Sequence, residues 1–190
     1  GDYVSGRFYH LLSHAGKIEM VQRLSMAICE VNRLKLNLYE KMNQVRISAE
    51  EYVQHAVNIK SELFRSFACL MDGAYKEKWP SILHAFTRCE VLMNELERLK
   101  DKDSFWGSWG FWYLLEVAQP SEVRLLKSKQ YDHGEIGFLT EKYKLQPMLY
   151  HMLDEQFQKV YAGIQHFRSG GLIRELQQIG EKFRHFLPGS

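Results

Sequence analysis

Apolar residues recur at alternating steps of three and four along most of the chain. From residue 17 to residue 45 there is neither proline nor glycine. The seam in this stretch consists of Val21, Leu24, Ile28, Val31, Lys35, Leu38, Met42 and Val45. Such a heptad seam, with the other charged residues off it, predicts one long helix. Leu34, Leu36 and Tyr39 widen the apolar face, which indicates that this helix contacts more than one neighbour.

A second helix is predicted to begin at the capping-box sequence Ser48-Ala49-Glu50-Glu51. Its seam is Val53, Ala56, Lys60, Leu63, Phe67 and Leu70, and Asp72-Gly73 ends it. Because the connection between the two helices is short, we expect an antiparallel hairpin. The register of this hairpin places Lys35 and Lys60 in one layer, where two ammonium groups repel each other. Either both side chains extend into solvent, or a carboxylate from another element or molecule meets them.

Three further long helices follow from the same pattern. One begins at Trp79-Pro80, with proline in the favoured first turn, and has the seam Ile82, Ala85, Cys89, Leu92, Leu96 and Leu99. Another begins at Pro147, has the seam Tyr150, Leu153, Phe157, Val160, Ile164 and Phe167, and stops at Ser169-Gly170-Gly171. The last carries Leu172, Leu176, Ile179, Phe183 and Phe186. Residues 2–16 predict a short leading helix, and residues 123–143 predict short helices and loop after a boundary at Pro120, where Ser121 can cap.

The segment from Phe105 to Leu115 contains three of the four tryptophans. Trp106, Trp109 and Trp112 are spaced i, i+3, i+6, which in a helix places them close to one face. Two interpretations compete for this aromatic segment. It is either part of the core, which we favour because large exposed apolar patches are uncommon, or an anchor for a partner or a membrane interface.

No segment alternates apolar and polar residues with period two between turn residues, so no sheet is predicted. The pattern predicts an all-α fold, an antiparallel multi-helix bundle of long helical hairpins. A short α-helical repeat array is the alternative, although no repeated signature is found. The length of 190 residues suits a single helical domain over residues 1–190. Since the first residue is glycine rather than methionine, we expect a domain excised from a larger protein.

Composition and charge limit the cellular locations and the classes of partner that are expected. The net charge of +2 gives no global field that favours nucleic acid. No apolar run approaches the roughly 18 residues of a membrane span, and no signal sequence opens the chain. Three cysteines, Cys29, Cys69 and Cys89, cannot all pair with one another. An intracellular location, cytoplasmic or nuclear, is therefore expected.

Candidate chemistry is sparse. His10 and His14 have the i, i+4 spacing of two zinc ligands but lack the glutamate of the H-E-x-x-H arrangement. Glu51 with His55 and Glu181 with His185 are carboxylate–histidine pairs at i, i+4, which could orient a general base. Such pairs also arise readily on helix surfaces without any catalytic role. The glycines after Ser169 precede a helix N-terminus, which can bind an anion, but a turn explains them. We therefore expect no metal, no cofactor and no enzymatic activity.

The predicted function is a non-catalytic protein–protein interaction or scaffold domain, a subunit or module of a larger assembly. The partner is another protein, or a second copy bound through the helical seams. The candidate partner-binding residues are Phe105, Trp106, Trp109, Trp112, Lys35 and Lys60. The alternative is a domain that binds anionic membrane lipid or single-stranded nucleic acid through the tryptophans together with Arg124, Lys127 and Lys129. No small-molecule substrate is predicted.

Overall fold

The computed structural model describes residues 18–68, 75–165 and 170–184. Within these ranges the chain forms nine helices and no strand, which confirms the predicted all-α bundle. The helices are α1 (Ile18–Asn43), α2 (Ala49–Ala68), α3 (Tyr75–Arg98), α4 (Lys102–Phe105), α5 (Trp109–Val117), α6 (Pro120–Ser128), α7 (His133–Lys142), α8 (Leu145–Ile164) and α9 (Gly170–Arg184). The predicted leading helix, the turn at residues 72–73 and the turn at Ser169 lie outside the described residues.

Helix α3 is the centre of the bundle. It packs against α2 on one side and against α8 and α9 on the other. The predicted seam of α3 is buried along its whole length: Ile82, Ala85, Cys89, Leu92, Leu96 and Leu99. The approach to α8 is close, because a Cβ atom on Gly163 would lie 2.8 Å from Cγ1 of Ile82. The core of the molecule therefore forms between α3 and its neighbours.

Helix α1 lies at the edge of the bundle and packs mainly against α2. Its fully buried residues are Ala27 and Leu38. At the connection between the two helices, Lys41 Nζ lies 3.5 Å from Glu51 Oε1. The predicted capping box is confirmed, since the N–H of Glu51 donates to Ser48 Oγ at 3.1 Å and the N–H of Ser48 donates to Glu51 Oε2 at 3.0 Å. The chain therefore turns back at Ser48 so that α2 covers one face of α1.

The predicted start of the third long helix at Trp79-Pro80 is wrong. Helix α3 begins at Tyr75, and Pro80 lies inside it. A proline removes the N–H that would bond to the carbonyl four residues earlier, which at this position belongs to the first turn of the helix. Only the beginning of α3 is affected, and the seam that follows is retained.

The aromatic segment is not one continuous helix, so the prediction that Trp106, Trp109 and Trp112 share one helix face is wrong. Helix α4 ends at Phe105, and Gly107 has φ +71°, a left-handed conformation that favours glycine. Ser108 then caps α5, since the N–H of Phe111 donates to its Oγ at 3.2 Å. The backbone therefore turns a corner between Trp106 and Trp109.

Residues after α5 form the short helices predicted for this region. Helix α6 begins at Pro120, and the residue before it, Gln119, donates its N–H to Glu122 Oε2 at 3.0 Å. The capping residue is therefore Gln119, whereas the sequence predicts a cap at Ser121. Helix α7 begins after a second capping box, in which the N–H of Glu135 donates to Asp132 Oδ1 at 2.8 Å. These well-formed ends explain why a weakly patterned stretch is nevertheless helical.

Candidate partner-binding surface

Most of the aromatic segment is core. Phe105, Trp109 and Trp112 are 0, 2 and 1% exposed. Trp109 stacks on Tyr113 with ring centroids 5.1 Å apart, and Trp112 donates its indole N–H to the carbonyl of Gly107 at 3.1 Å. The first of the two interpretations therefore describes this segment. The rings of these three residues are covered by their own chain, so an exposed anchor is not present at Trp109 and Trp112. A role for them in partner binding stays a prediction.

A buried carboxylate holds the corner of the aromatic segment in place. Glu95 on α3 is 3% exposed and accepts three hydrogen bonds. Its Oε2 accepts from the backbone N–H of Trp109 at 2.7 Å, and its Oε1 accepts from Tyr52 Oη at 3.0 Å and from Arg98 Nη1 at 3.1 Å. Burial, together with the Glu95 charge, raises the pKa of Tyr52. Glu95 thus connects α2, α3 and the first residue of α5.

Arg98 completes this network from the other side. Its guanidinium donates to the carbonyl of Ser104 at 2.9 Å, to the carbonyl of Trp106 at 3.0 Å and to Tyr52 Oη at 2.6 Å. Both carbonyls lie at the C-terminal end of α4, where carbonyl groups lack an intrahelical hydrogen-bond donor. The network is therefore structural, because its charged groups are used to fix the backbone between α3 and α5.

The basic residues of the alternative prediction do not form one cluster with the tryptophans. Lys129 Nζ lies 3.8 Å from the ring centroid of Trp106, which is half-buried, and this is a cation–π contact. Arg124 and Lys127 are exposed on α6. Trp106 thus lies beside a basic side chain, whereas the rings of Trp109 and Trp112 are buried in the core. Binding of lipid or nucleic acid at these residues stays a prediction.

Lys35 and Lys60 are both exposed. The ammonium group of Lys60 forms an ion pair with Glu90 on α3. A carboxylate from another element thus meets Lys60, which is one of the two outcomes expected from the sequence, while Lys35 extends from the surface. Their role in partner binding also stays a prediction.

The face of α1 that points away from α2 carries large exposed apolar side chains. Met26, Leu36, Ile18 and Tyr39 are 73, 64, 62 and 56% exposed. Three of them belong to a row of exposed residues at alternating steps of four and three, which we call the outer stripe. The outer stripe consists of Ile18, Gln22, Ser25, Cys29, Asn32, Leu36, Tyr39 and Asn43. Leu36 precedes the buried Leu38 by two residues, which corresponds to a rotation of about 200° around the helix. The outer stripe therefore lies on the side of α1 opposite the contact with α2.

The charged residues beside the outer stripe are largely paired with each other. Arg23 Nη2 lies 2.8 Å from Glu19 Oε1, and Arg33 Nη2 lies 2.6 Å from Glu30 Oε1. The hydrogen bond to Arg33 lowers the pKa of Glu30 and raises the pKa of Arg33 in turn. These pairs lie along one edge of the stripe, and no member of the stripe is itself charged. The outer stripe is therefore uncharged, with large apolar side chains at Ile18, Leu36 and Tyr39 and polar or small side chains between them.

The histidines and cysteines of the described residues do not form a reactive centre. Glu51 is engaged by Ser48 and Lys41, so it does not orient His55, whose pKa is lowered by burial. Burial raises the pKa of Cys89 to about 12, whereas Cys29 is exposed. In the part of the chain that the structure describes, no group of three or more His, Cys, Asp or Glu could hold a metal ion. His10, His14 and His185 lie outside that part.

Two clefts border His84. One, of about 160 Å³, lies between α1, α2 and α3 and is lined by Glu30, Asn58, Glu62 and Arg65 among others. The other, of about 540 Å³, lies between α3 and α8. Burial lowers the pKa of His84, and Arg88 on the second cleft is already bound by Glu50 at 2.8 Å. Neither cleft presents an unpaired charged cluster that selects a ligand.

Among the described helices, none is both long enough and apolar enough to cross a membrane.

The described residues therefore form an all-helical bundle with a buried polar corner and an edge helix whose outward face is uncharged and carries exposed apolar side chains. Residues 1–109 match the protein family described as heptaprenyl diphosphate synthase (HEPPP synthase) subunit 1. Because the match covers more than half of the 190 residues, the chain belongs to this family. No solved structure matches the chain significantly.

The expectation of no enzymatic activity is contradicted by the family match. The family is described as a subunit of a synthase, which makes it a component of an enzyme. A single subunit need not carry the residue constellation of the whole enzyme, so a search for such a constellation along this chain could not find the activity. The coarser expectation, a subunit of a larger assembly, agrees with the family description.

The outer stripe is not among the surfaces predicted from the sequence. The apolar pattern places Leu36 and Tyr39 beside the seam of α1 and indicates more than one neighbour for that helix. The steps from Ile18 through Cys29 to Leu36 contain the same heptad spacing as the buried seam, but their polar members, Gln22 and Asn32 among them, concealed it. A search for a second heptad register that tolerates uncharged polar residues would have found it.

Proposed function

We propose that this protein is a subunit of a heteromeric synthase that makes heptaprenyl diphosphate, and that it acts there by binding a second subunit. The observation that carries the proposal is the family match over residues 1–109, whose description names a subunit of that enzyme. The matched residues include α1 to α4 and both charged members of the Glu95–Arg98 network. The proposal keeps the protein partner expected from the sequence and places it within an enzyme.

Two structural observations support a function that depends on assembly. The polar groups of the Glu95 network hydrogen-bond to one another and to the backbone, so they are not free to act on a substrate. Within the matched segment, Ile18, Leu36 and Tyr39 are large exposed apolar side chains on one face of α1. Contact with another protein is the use that such a face most readily serves.

Reconstitution tests the proposal. The full chain and the second subunit of the heptaprenyl diphosphate synthase from the same organism would be purified separately and then mixed. We expect a stable complex by size-exclusion chromatography with light scattering, and formation of heptaprenyl diphosphate from isoprenoid diphosphate precursors well above that of either chain alone. An unrelated helical protein of similar size serves as the control. If no complex forms and product formation is the same with and without this chain, the proposal is wrong.

A further inference from the structure

We propose that the outer stripe of α1 is the surface on which one helix of the partner subunit docks. The inference rests on the proposed function, since it takes the second subunit as the occupant. It adds the location of the contact, the chemistry of the partner's matching face and the point of closest approach. Each of these follows from the described residues of α1.

The spacing of the outer stripe is that of a helix-packing seam. Its members follow each other at alternating steps of four and three from Ile18 to Asn43, along the whole of α1. This is the spacing of a and d positions, which face a neighbouring helix. The opposite face of α1, with Ala27 and Leu38, already faces α2. Helix α1 thus has two packing faces, and the described chain provides a major neighbour for one of them.

The charge distribution favours a protein helix over a polyanion. No residue of the outer stripe is charged, and the nearby Glu19–Arg23 and Glu30–Arg33 pairs neutralise one edge. Nucleic acid or an anionic membrane would instead require an excess of Lys and Arg. The matching face of the partner is therefore uncharged, apolar where it meets Ile18, Leu36 and Tyr39, and small or polar where it meets Ser25 and Asn32.

The shape of the stripe fixes where the two helices come closest. Ser25, Cys29 and Asn32 in the middle have small or short side chains, whereas Ile18 lies at one end and Leu36 and Tyr39 lie towards the other. Short side chains allow two helix backbones to approach within the usual 8–10 Å between axes. We therefore place the crossing point near Cys29, with the larger side chains packing on either side of it.

The family description favours the second subunit over a second copy of this chain as the occupant of the outer stripe, because it names subunit 1 of a synthase. A helix of 26 residues is about 39 Å long, and a contact strip about 10 Å wide along it covers roughly 400 Å². A stable interface of standard size buries about 800 Å² on each partner. The second subunit therefore also contacts residues beyond the outer stripe.

The first test is a pair of matched substitutions in the full chain. Leu36→Lys places a charge in the outer stripe, and Phe138→Lys makes the same change on α7, where Phe138 is 62% exposed. Binding to the second subunit from the same organism would be measured by biolayer interferometry. We expect Leu36→Lys to raise Kd at least about tenfold and Phe138→Lys to change it by less than about twofold. Both residues are exposed, so circular dichroism and Tm should show that both variants fold.

The second test uses the wild-type protein and the thiol of Cys29. Cys29 is exposed, so iodoacetamide should modify it readily in the free chain, and peptide mass spectrometry identifies the modified residue. In the complex we expect its alkylation to slow at least about tenfold, because the partner helix covers it near the crossing point. This readout does not depend on any substitution being tolerated.

The outcomes separate the two proposals. If the wild-type chain fails to bind the second subunit at all, the proposed function itself is wrong. If it binds, but Leu36→Lys binds equally well and Cys29 stays reactive in the complex, the partner docks elsewhere and only the inference is overturned. Protection of Cys29 in the free chain would also overturn it, because the stripe would then be covered by this chain itself or by a second copy. Sedimentation velocity distinguishes those two cases.

Discussion

Replacing Glu95 by alanine should destabilise the fold by about 3–5 kcal/mol, the range found when one partner of a buried ion pair is removed. The carboxylate is 3% exposed and serves three donors. After the substitution, the backbone N–H of Trp109 has lost its acceptor in a buried site. Tyr52 and Arg98 lose the same carboxylate but keep their hydrogen bond to each other.

The magnitude follows from what each donor loses. An unsatisfied buried N–H such as that of Trp109 costs about 1–3 kcal/mol, and the Arg98 charge loses its counterion while it retains two carbonyl acceptors. The shortened side chain also leaves a cavity, which adds to the loss. Glu95→Gln should cost less, about 1–3 kcal/mol, because the amide oxygen can still accept from Trp109 although the NH₂ group then faces other donors.

Urea unfolding followed by circular dichroism measures these differences, from the shift of the midpoint at constant m value. Glu97→Ala is the matched control, since Glu97 lies two residues further on and is paired with Lys100 on the surface, at 61 and 62% exposure. Loss of an exposed pair costs about 0–1 kcal/mol. If Glu95→Ala is no more destabilising than Glu97→Ala, the network does not organise the corner and the reasoning is refuted.

Three further outcomes are expected. Hydrogen bonds from Lys142 and Tyr143 lower the pKa of Glu122 in the folded protein to about 2, whereas the pKa of an unfolded glutamate is about 4.3. The ionised Glu122 therefore stabilises the fold fully above the unfolded pKa, and this stabilisation is lost as the pH falls towards 2. The difference in unfolding free energy between wild type and Glu122→Gln should therefore shrink below about pH 4.3, and a difference independent of pH would contradict this. Gly107→Ala should cost about 1–2 kcal/mol in urea unfolding because φ is +71°, whereas Gly137→Ala in an open helical position should be neutral or stabilising, and equal effects would disprove the argument. Cys89, with its pKa raised to about 12 by burial, should resist alkylation at pH 8 until the protein unfolds, and labelling in the folded state would show that its site is open.

The fold was predictable where the pattern reflects burial on one helix face. The seam of α3 from Ile82 to Leu99 is buried as expected, and the capping box at Ser48 starts α2. The errors arose at helix ends. The preference of proline for the first turn predicts a start at Pro80, yet one missing N–H does not prevent the helix from beginning earlier, at Tyr75. Gly107-Ser108 contains both a left-handed residue and a cap, and these local signals outweigh the spacing of the tryptophans.

The candidate site was harder to predict, for a different reason. Whether an aromatic side chain is core or surface depends on the elements that return to cover it, and the spacing of Trp109 and Trp112 does not contain that information. Likewise, Lys60 finds Glu90 on α3 only because the bundle brings α2 and α3 together. Leu36 and Tyr39 were visible in the sequence as apolar residues beside the seam of α1, but the exposure of the outer stripe to which they belong is a property of the assembled bundle. Membership in an enzyme assembly was not evident from the motifs of this chain, because no catalytic constellation was found in it, and it emerged only from the family match over residues 1–109.

The close packing of α3 on α8 has a consequence for how this chain can be divided. The resemblance to the family stops at residue 109, but the side of α3 that carries Ile82 and Ala85 is covered by residues such as Gly163, well beyond that point. A fragment cut at residue 109 would expose that apolar side to water and would be expected to aggregate rather than fold. The end of the family match therefore falls inside a packed helical bundle, in which residues beyond 109 are needed to cover the apolar side of α3.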